Sequence, residues 1–153
     1  MTEQEKKNLI KEALEARKYA YAPYSEFCVG AALLAEDGKI YTGCNIENAS
    51  YSGSNCAEQT AVFKAVSEGS LKWKGIALAG GPAKGEIKEF VMPCGICRQV
   101  LSEFCDAQKF RILSAKSEGE WKEFSLSELL PHGFGKAALS RPAEAEAELK
   151  QAL

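Results

Sequence analysis

Two short cysteine motifs constrain this chain more than any other feature of its sequence. They are Cys56-Ala57-Glu58-Gln59 and Pro93-Cys94-Gly95-Ile96-Cys97, and each stands where an apolar pattern with helical spacing begins. Cys94 and Cys97 are three residues apart, so a helix start places both sulfurs on one face. If the two helix starts meet, three thiolates converge at positive helix ends, which favour the deprotonated sulfur that metal ions bind.

Three cysteine ligands predict a zinc site with one open position. A zinc ion with three protein ligands is typical of a catalytic site, whereas a structural site has four. Glu58 is the candidate for moving the protons of a water in that position. A structural site needs a fourth ligand, and the single histidine, His132, lies far along the chain. Buried thiols and a redox Cys-x-x-Cys pair are alternatives, and Asn55-x-x-Glu58 is also compatible with a simple helix cap.

The segments around the motifs narrow the interpretation. They are Tyr24-Ser25-Glu26-Phe27-Cys28-Val29-Gly30-Ala31-Ala32, Gly43-Cys44-Asn45-Ile46-Glu47-Asn48-Ala49 and Gly95-Ile96-Cys97-Arg98-Gln99. Over roughly residues 5–135 the chain resembles the small, homotetrameric, zinc-dependent cytidine deaminases. Their zinc signature is Cys or His, any residue and Glu, followed later by Pro-Cys-x-x-Cys. The resemblance implies one Zn²⁺ per chain, held by Cys56, Cys94 and Cys97, with Glu58 as the catalytic residue. It also implies the hydrolysis of cytidine and deoxycytidine to uridine and deoxyuridine plus ammonia.

The resemblance extends to substrate-binding residues. In the family, the residues that match Asn45 and Glu47 bind the sugar, and the aromatic residue that matches Phe27 flanks the pyrimidine. Alternation along an extended segment aims Asn45 and Glu47 the same way, and an amide with a carboxylate suits paired ribose hydroxyls. Further expected substrate contacts are Ala57 through its backbone, and Tyr51 and Phe134, which match residues that reach into a neighbouring subunit's site.

Gln59 departs from the family's commonest pattern. Many three-cysteine relatives have arginine there, which offsets the net charge of −1 that three thiolates and Zn²⁺ carry together. Glutamine still donates hydrogen bonds to sulfur but brings no positive charge, so helix-start dipoles and Arg98 are expected to contribute more. The remaining cysteines are predicted to be packing thiols: Cys28, Cys44 and Cys105.

Composition limits the class of protein. The 153 residues, 46% of them apolar, fit one domain with one packed core and a C-terminal helical tail at 140–153. A net charge of −2 without a basic block argues against a nucleic-acid partner. No apolar run approaches the roughly 20 residues of a membrane span, and the first 20 residues lack an apolar signal core. Six cysteines without an export signal favour a reducing compartment, so we expect a cytoplasmic protein.

The apolar patterns predict an α/β protein with the order αββαβαββ. A capping box at Thr2 and Glu5 starts a helix whose apolar stripe continues to Tyr21 and ends before Pro23. Strands are predicted at 29–35, 39–44, 76–79, 110–115 and 121–124, one helical turn at 125–130 and a terminal helix at 142–153. The first two strands form a hairpin, and Gly80-Gly81-Pro82 closes the third. The last two must be antiparallel, because a parallel crossover needs a dozen or more residues.

The predicted sheet is mixed, has five strands and is covered by helices in three α-β-α layers, which is also the family's architecture. The short turn between its last two strands favours free nucleosides, because relatives that act on polymers generally place a helix there. Alternative functions are a deaminase of a cytosine-nucleoside antibiotic or analogue, a non-catalytic zinc module, and an editing deaminase that acts on nucleic acid.

Overall fold

The structure is a computed structural model, and it describes residues 1–136. Its helices are α1 (Glu3–Ala16), α2 (Ala57–Ser67), α3 (Gly95–Phe104) and α4 (Leu126–Leu129), with 3₁₀ turns at Arg17–Tyr19 and Tyr51–Gly53. Its strands are β1 (Phe27–Ala35), β2 (Ile40–Cys44), β3 (Trp73–Pro82), β4 (Arg111–Ser117) and β5 (Glu120–Ser125). The element order matches the predicted one, and the terminal helix expected at 142–153 lies outside the described residues.

The five strands form one mixed sheet in the order β2-β1-β3-β4-β5. Strand β3 runs parallel to β4, and every other neighbouring pair is antiparallel, including β4 with β5 as predicted. Helix α1 packs on one face through Leu9 and Ile10 against Leu34 and Leu113. The opposite face carries α2, α3 and α4 over a core that includes Leu78. The three-layer α-β-α arrangement is therefore confirmed.

Helix α1 starts as predicted but ends earlier. Thr2 and Glu5 form the reciprocal capping box. The helix stops at Ala16, and Tyr21 lies beyond it with 57% of its surface exposed. The backbone of Tyr21 bonds instead to the loop after β2, accepting from the Glu47 N–H at 2.8 Å. The prediction that Tyr21 belongs to the helical stripe was wrong, because this long-range pairing extends the chain.

Strand β3 is longer than its sequence suggests. The predicted turn Gly80-Gly81-Pro82 is part of the strand, where Gly80 pairs with Val29 and Pro82 with Phe27. The loop after β3 folds back over the two glycines, and a Cβ at Gly80 would lie 2.9 Å from a methyl group of Val91. The absence of side chains thus makes room for the loop that leads to the second cysteine motif.

Helix α2 lies directly on the hairpin strand β2. A Cβ at Gly43 would lie 2.5 Å from both the Ala57 carbonyl oxygen and the Ala61 backbone nitrogen. Only glycine allows this approach, which sets the position of the first turn of α2. Within residues 1–136, no helix has the length and apolar character needed to cross a bilayer.

Candidate active site

The first cysteine motif is held by the loop that precedes it. The backbones of Ile46 and Asn55 exchange two hydrogen bonds, at 2.9 and 2.8 Å, immediately before Cys56. Cys56 is the N-cap of α2 and has an extended backbone, with φ −73° and ψ 155°. The Thr60 hydroxyl donates to the Cys44 carbonyl at 3.0 Å and so fastens the first turn to β2. These contacts fix the direction in which the Cys56 sulfur leaves the helix start.

The second cysteine motif starts α3 in a similar way. Cys94 is the N-cap, and its sulfur accepts the Cys97 N–H at 3.5 Å. Arg98 donates to the Pro93 carbonyl at 2.7 Å and to the Leu129 carbonyl at 2.6 Å. Arg98, predicted to offset charge at the metal, therefore has carbonyl partners in the structure, and its contacts connect the motif to α4.

The two helix starts bring three sulfurs together. The Sγ atoms of Cys56, Cys94 and Cys97 all lie within 4.8 Å of one another, and that of Cys56 is 3.9 Å from that of Cys94. Tetrahedral zinc with Zn–S bonds of about 2.3 Å requires sulfurs about 3.8 Å apart. The three cysteines therefore fit a zinc ion. His132 is not part of this cluster within residues 1–136, so the structure supplies no fourth ligand from that part of the chain.

The thiols of the cluster shift one another's pKa because they lie so close together. The interaction with the Cys97 thiol lowers the pKa of Cys56, and the contact with Cys94 adds to the effect. The same pair interaction, together with burial, raises the pKa of Cys97. Because only thiolates bind zinc, metal binding must release the protons of these thiols.

Glu58 lies at the second position of α2, beside the sulfurs. The side chain of Glu58 is buried, with 6% of the residue exposed. Burial raises the pKa of Glu58 to about 7, although a hydrogen bond from its own backbone N–H opposes the shift. The alternative cap is wrong, because Cys56 is the N-cap and the Asn55 amide donates instead to the Thr60 hydroxyl at 3.1 Å.

Two adjoining cavities lead to the cluster. The inner cavity, of about 320 Å³, is lined by Phe27, Ala57, Glu58 and Cys94 among others. The outer cavity, of about 410 Å³, is lined by residues that include Tyr24, Ser25, Glu47 and Tyr51. Asn45 and Cys56 line both. The cavities therefore join the sulfur cluster to an open pocket in which the predicted sugar-binding pair lies.

The chain matches proteins of known family along most of its length. The family model for the cytidine and deoxycytidylate deaminase zinc-binding region matches residues 3–113. The cytidine deaminase of Sporosarcina psychrophila is 50% identical over 139 residues, which are 89% of this chain and 96% of that protein. The chain belongs to the cytidine deaminase family. The matched zinc-binding region contains the three-cysteine cluster, which is positioned to hold a metal ion, so the predicted Zn²⁺ cofactor is confirmed.

Solved structures of cytidine deaminases share the fold. The enzyme from Burkholderia pseudomallei superposes with a TM-score of 0.76 at 42% identity, covering 88% of this chain and all of that one. The enzyme from Mycobacterium tuberculosis gives a TM-score of 0.69 at 38% identity, covering 84% of this chain and 95% of that one. The predicted fold class is therefore confirmed.

Gln59 occupies the position at which many cytidine deaminases are expected to carry an arginine that offsets the negative charge of the cluster. Its amide nitrogen is 3.6 Å from the Cys97 sulfur, within hydrogen-bonding distance for that atom. Phe134 is 59% exposed and is held through its carbonyl, which accepts from the Gln99 amide at 2.8 Å. In the part of the chain that the structure describes, Phe134 lines neither of the two cavities. The structure thus places Gln59 at the cluster of this chain and Phe134 outside both of its cavities.

Sequence reasoning missed some of the residues that line the cavities. Val91 and Met92, which complete the inner wall, stand in an irregular loop without a local signal. Tyr24 and Ser25 line the outer cavity, and the only signal for them in the sequence is the family resemblance of their segment. The other thiols lie outside the cluster: Cys28, Cys44 and Cys105 are half-buried. Their predicted packing role agrees with burial that raises the pKa of Cys105 to about 12.

Proposed function

We propose that this chain catalyses the zinc-dependent hydrolytic deamination of cytidine and deoxycytidine, giving uridine or deoxyuridine and ammonia. One observation carries the proposal: a buried carboxyl, Glu58, lies beside three convergent cysteine sulfurs on the wall of a cavity. Two cytidine deaminases, from Sporosarcina psychrophila and Halalkalibacterium halodurans, are each 50% identical to the chain. These relatives point to cytidine as the nucleoside.

The chain's own residues divide the work of the reaction. When bound, zinc lowers the pKa of water at its open position to near neutrality. Glu58 accepts the proton of the attacking water, delivers it to N3 of the ring and carries a second proton to the departing amino group. Burial of Glu58 keeps these protons from bulk water. The free N–H groups at the start of α2, including that of Ala57, donate to the cytosine ring.

The outer part of the substrate is recognised away from the zinc. Phe27 stacks against the pyrimidine from the inner cavity, and Asn45 and Glu47 bind the sugar hydroxyls. Binding energy from the sugar positions the ring for attack. Free cytosine, which has no sugar, is therefore a poor substrate. A site that encloses the sugar hydroxyls also leaves no room for flanking phosphates, so single-stranded DNA is inert.

The assembly that fits this site is a homotetramer. Tyr51 at the outer cavity is 75% exposed, and Phe134 is 59% exposed. Large aromatic residues that are this exposed favour burial against another chain. Phe134 of one subunit then lines the pocket of a neighbour. Sedimentation should give four chains per particle, and a fully active monomer would contradict both the assembly and the role of Phe134.

The cellular role that follows is pyrimidine salvage in the cytoplasm. Six cysteines, three of them half-buried outside the metal cluster, suit a reducing compartment. The chain is proposed to form a single domain, and the helical tail expected at 140–153 lies outside the described residues. Neither nucleic acid nor a membrane is proposed as a partner.

A substrate panel on the zinc-loaded protein tests the function. Loss of cytosine absorbance and release of ammonia are measured with cytidine, deoxycytidine, free cytosine, a cytosine-nucleoside antibiotic and a single-stranded oligonucleotide. We expect fast turnover of the first two alone. Preference for the antibiotic would indicate the analogue deaminase, and equal turnover of the oligonucleotide an editing enzyme. Zinc without any turnover would leave only a metal-binding module.

A further inference from the structure

The carboxylate of Glu47 is held by three donors from one short turn. One oxygen accepts the Tyr24 N–H at 2.9 Å and the Ser25 N–H at 3.2 Å. The other oxygen accepts the Ser25 hydroxyl. The serine lies 22 residues before the glutamate, so this is a tertiary contact and not a local turn. These donors lower the pKa of Glu47, because each of them favours the ionised form.

The same hydroxyl connects Glu47 to the wall of the inner cavity. The oxygen of Ser25 accepts the Phe27 N–H at 3.1 Å while its proton is donated to Glu47. Glu26, which lies between Ser25 and Phe27, has a positive φ of 53°, and its carbonyl accepts the Ala83 N–H at 2.7 Å. A non-glycine residue in this conformation is uncommon and must be held by its surroundings. Ser25 therefore lies at the centre of a fixed turn between the two cavities.

Contacts within the chain use most of the hydrogen-bonding capacity of Glu47 and Asn45. An ionised carboxylate has about four acceptor positions, and the turn fills three of those on Glu47. Asn45 is also partly used, since its amide oxygen accepts the Val29 N–H and its amide nitrogen donates to the Phe27 carbonyl. Glu47 thus keeps one acceptor position beside the outer cavity, and its direction is set by the three contacts already made.

We propose that Ser25 is a positioning residue that aims the free acceptor position of Glu47 at one hydroxyl of the substrate's sugar. The inference rests on the proposed function, because it concerns how the same pocket holds a nucleoside. Ser25 touches neither the ring nor the zinc cysteines. Its effect passes through Glu47 and is therefore felt only by substrates that carry the hydroxyl.

A pair of substrates separates positioning from general structural support. Steady-state kcat/KM is measured for cytidine and for 2′,3′-dideoxycytidine, which lacks both ring hydroxyls, with zinc-loaded wild type, Ser25→Ala and Ser25→Thr. Where the analogue turns over too slowly, its inhibition constant against cytidine replaces kcat/KM. Hydrogen bonds to charged groups contribute enough for Ser25→Ala to lose about tenfold on cytidine. The loss on the analogue should stay within about twofold, and Ser25→Thr, which keeps the hydroxyl, should be close to wild type.

Two further variants serve as controls. Ser117 caps its own exposed turn between β4 and β5, accepting from the Gly119 and Glu120 N–H groups, and touches no carboxylate. Ser117→Ala should leave both substrates unchanged. In a Glu47→Ala background, Ser25→Ala should cost cytidine turnover little more, because the two residues act as one unit.

The outcomes are distinguishable. Equal losses on both substrates would overturn the proposal and leave Ser25 as support for the Phe27 turn. No loss on cytidine, or full additivity with Glu47→Ala, would overturn it as well. Failure of the proposed function looks different, because wild type itself would then not deaminate cytidine.

Discussion

The contact between Gly43 and helix α2 gives a prediction whose size follows from the structure. In Gly43→Ala the new methyl group would lie 2.5 Å from the Ala57 carbonyl oxygen, whereas ordinary contact begins near 3.4 Å. The start of α2 must therefore retreat by about 0.9 Å, because backbone cannot rotate away. That start carries Cys56 and Glu58. A misplacement of about 1 Å at reacting groups is enough for a loss of about 100-fold in rate.

A matched substitution on the same hairpin isolates the effect on catalysis. In Gly30→Ala the methyl group would meet the Ala13 carbonyl oxygen at 2.1 Å, so that substitution displaces α1 on the opposite face of the sheet. Both variants should lose stability, by about 1–3 kcal/mol for an overpacked core. Gly43→Ala should lose about 100-fold in kcat on cytidine, and Gly30→Ala much less.

The assay compares kcat and melting temperature for the two variants, each checked for zinc content. Gly119 lies in open space, so Gly119→Ala serves as the neutral control. If Gly43→Ala retains wild-type kcat in a folded, zinc-loaded protein, the close approach does not position the site. Equal losses of kcat in both hairpin variants would show that rate simply follows stability.

Two further predictions concern the metal. Cys94→Ala should lose both zinc and stability, because a ligand of a buried site couples metal binding to folding. In the control variant Cys28→Ala, metal analysis should still find about one zinc per chain. A fully zinc-loaded Cys94→Ala protein would contradict the site. Gln59→Ala removes the 3.6 Å contact with the Cys97 sulfur, so zinc affinity measured by chelator competition should fall about 10- to 100-fold. Gln59→Arg should retain the metal. Unchanged zinc affinity in the alanine variant would mean that position 59 does not tune the metal.

Local signals in the sequence predicted the parts of the fold that depend on neighbours along the chain. The capping box at Thr2, the β1–β2 hairpin and the antiparallel β4–β5 pair all follow from short-range chemistry. The cysteine cluster was predictable for a related reason. Both motifs stand at helix starts, and each helix N-terminus favours thiolate and directs it outward.

Long-range packing decided the rest. Gly80 and Gly81 resemble a turn in the sequence, yet Val91 and Ile87 cover them and keep β3 extended. Backbone pairing with the 45–47 loop draws Tyr21 out of the helix predicted for it. The hydrogen bonds from the Ser25 turn to Glu47 span 22 residues, so no spacing rule could have indicated them. Roles of individual site residues stay predictions, because they concern contacts with a substrate.

The most direct test of the account compares cytidine deamination by wild type and Glu58→Gln, each with its zinc content measured. Glutamine preserves size but cannot carry protons, so both proteins should hold about one zinc per chain. The kcat of Glu58→Gln should fall by about 100-fold or more, as is typical when a general acid–base group is lost. Glu68→Gln, just past the other end of α2 and paired with Lys39 at 2.6 Å, should keep wild-type kcat. A zinc-loaded Glu58→Gln enzyme within a few-fold of wild type would contradict the account.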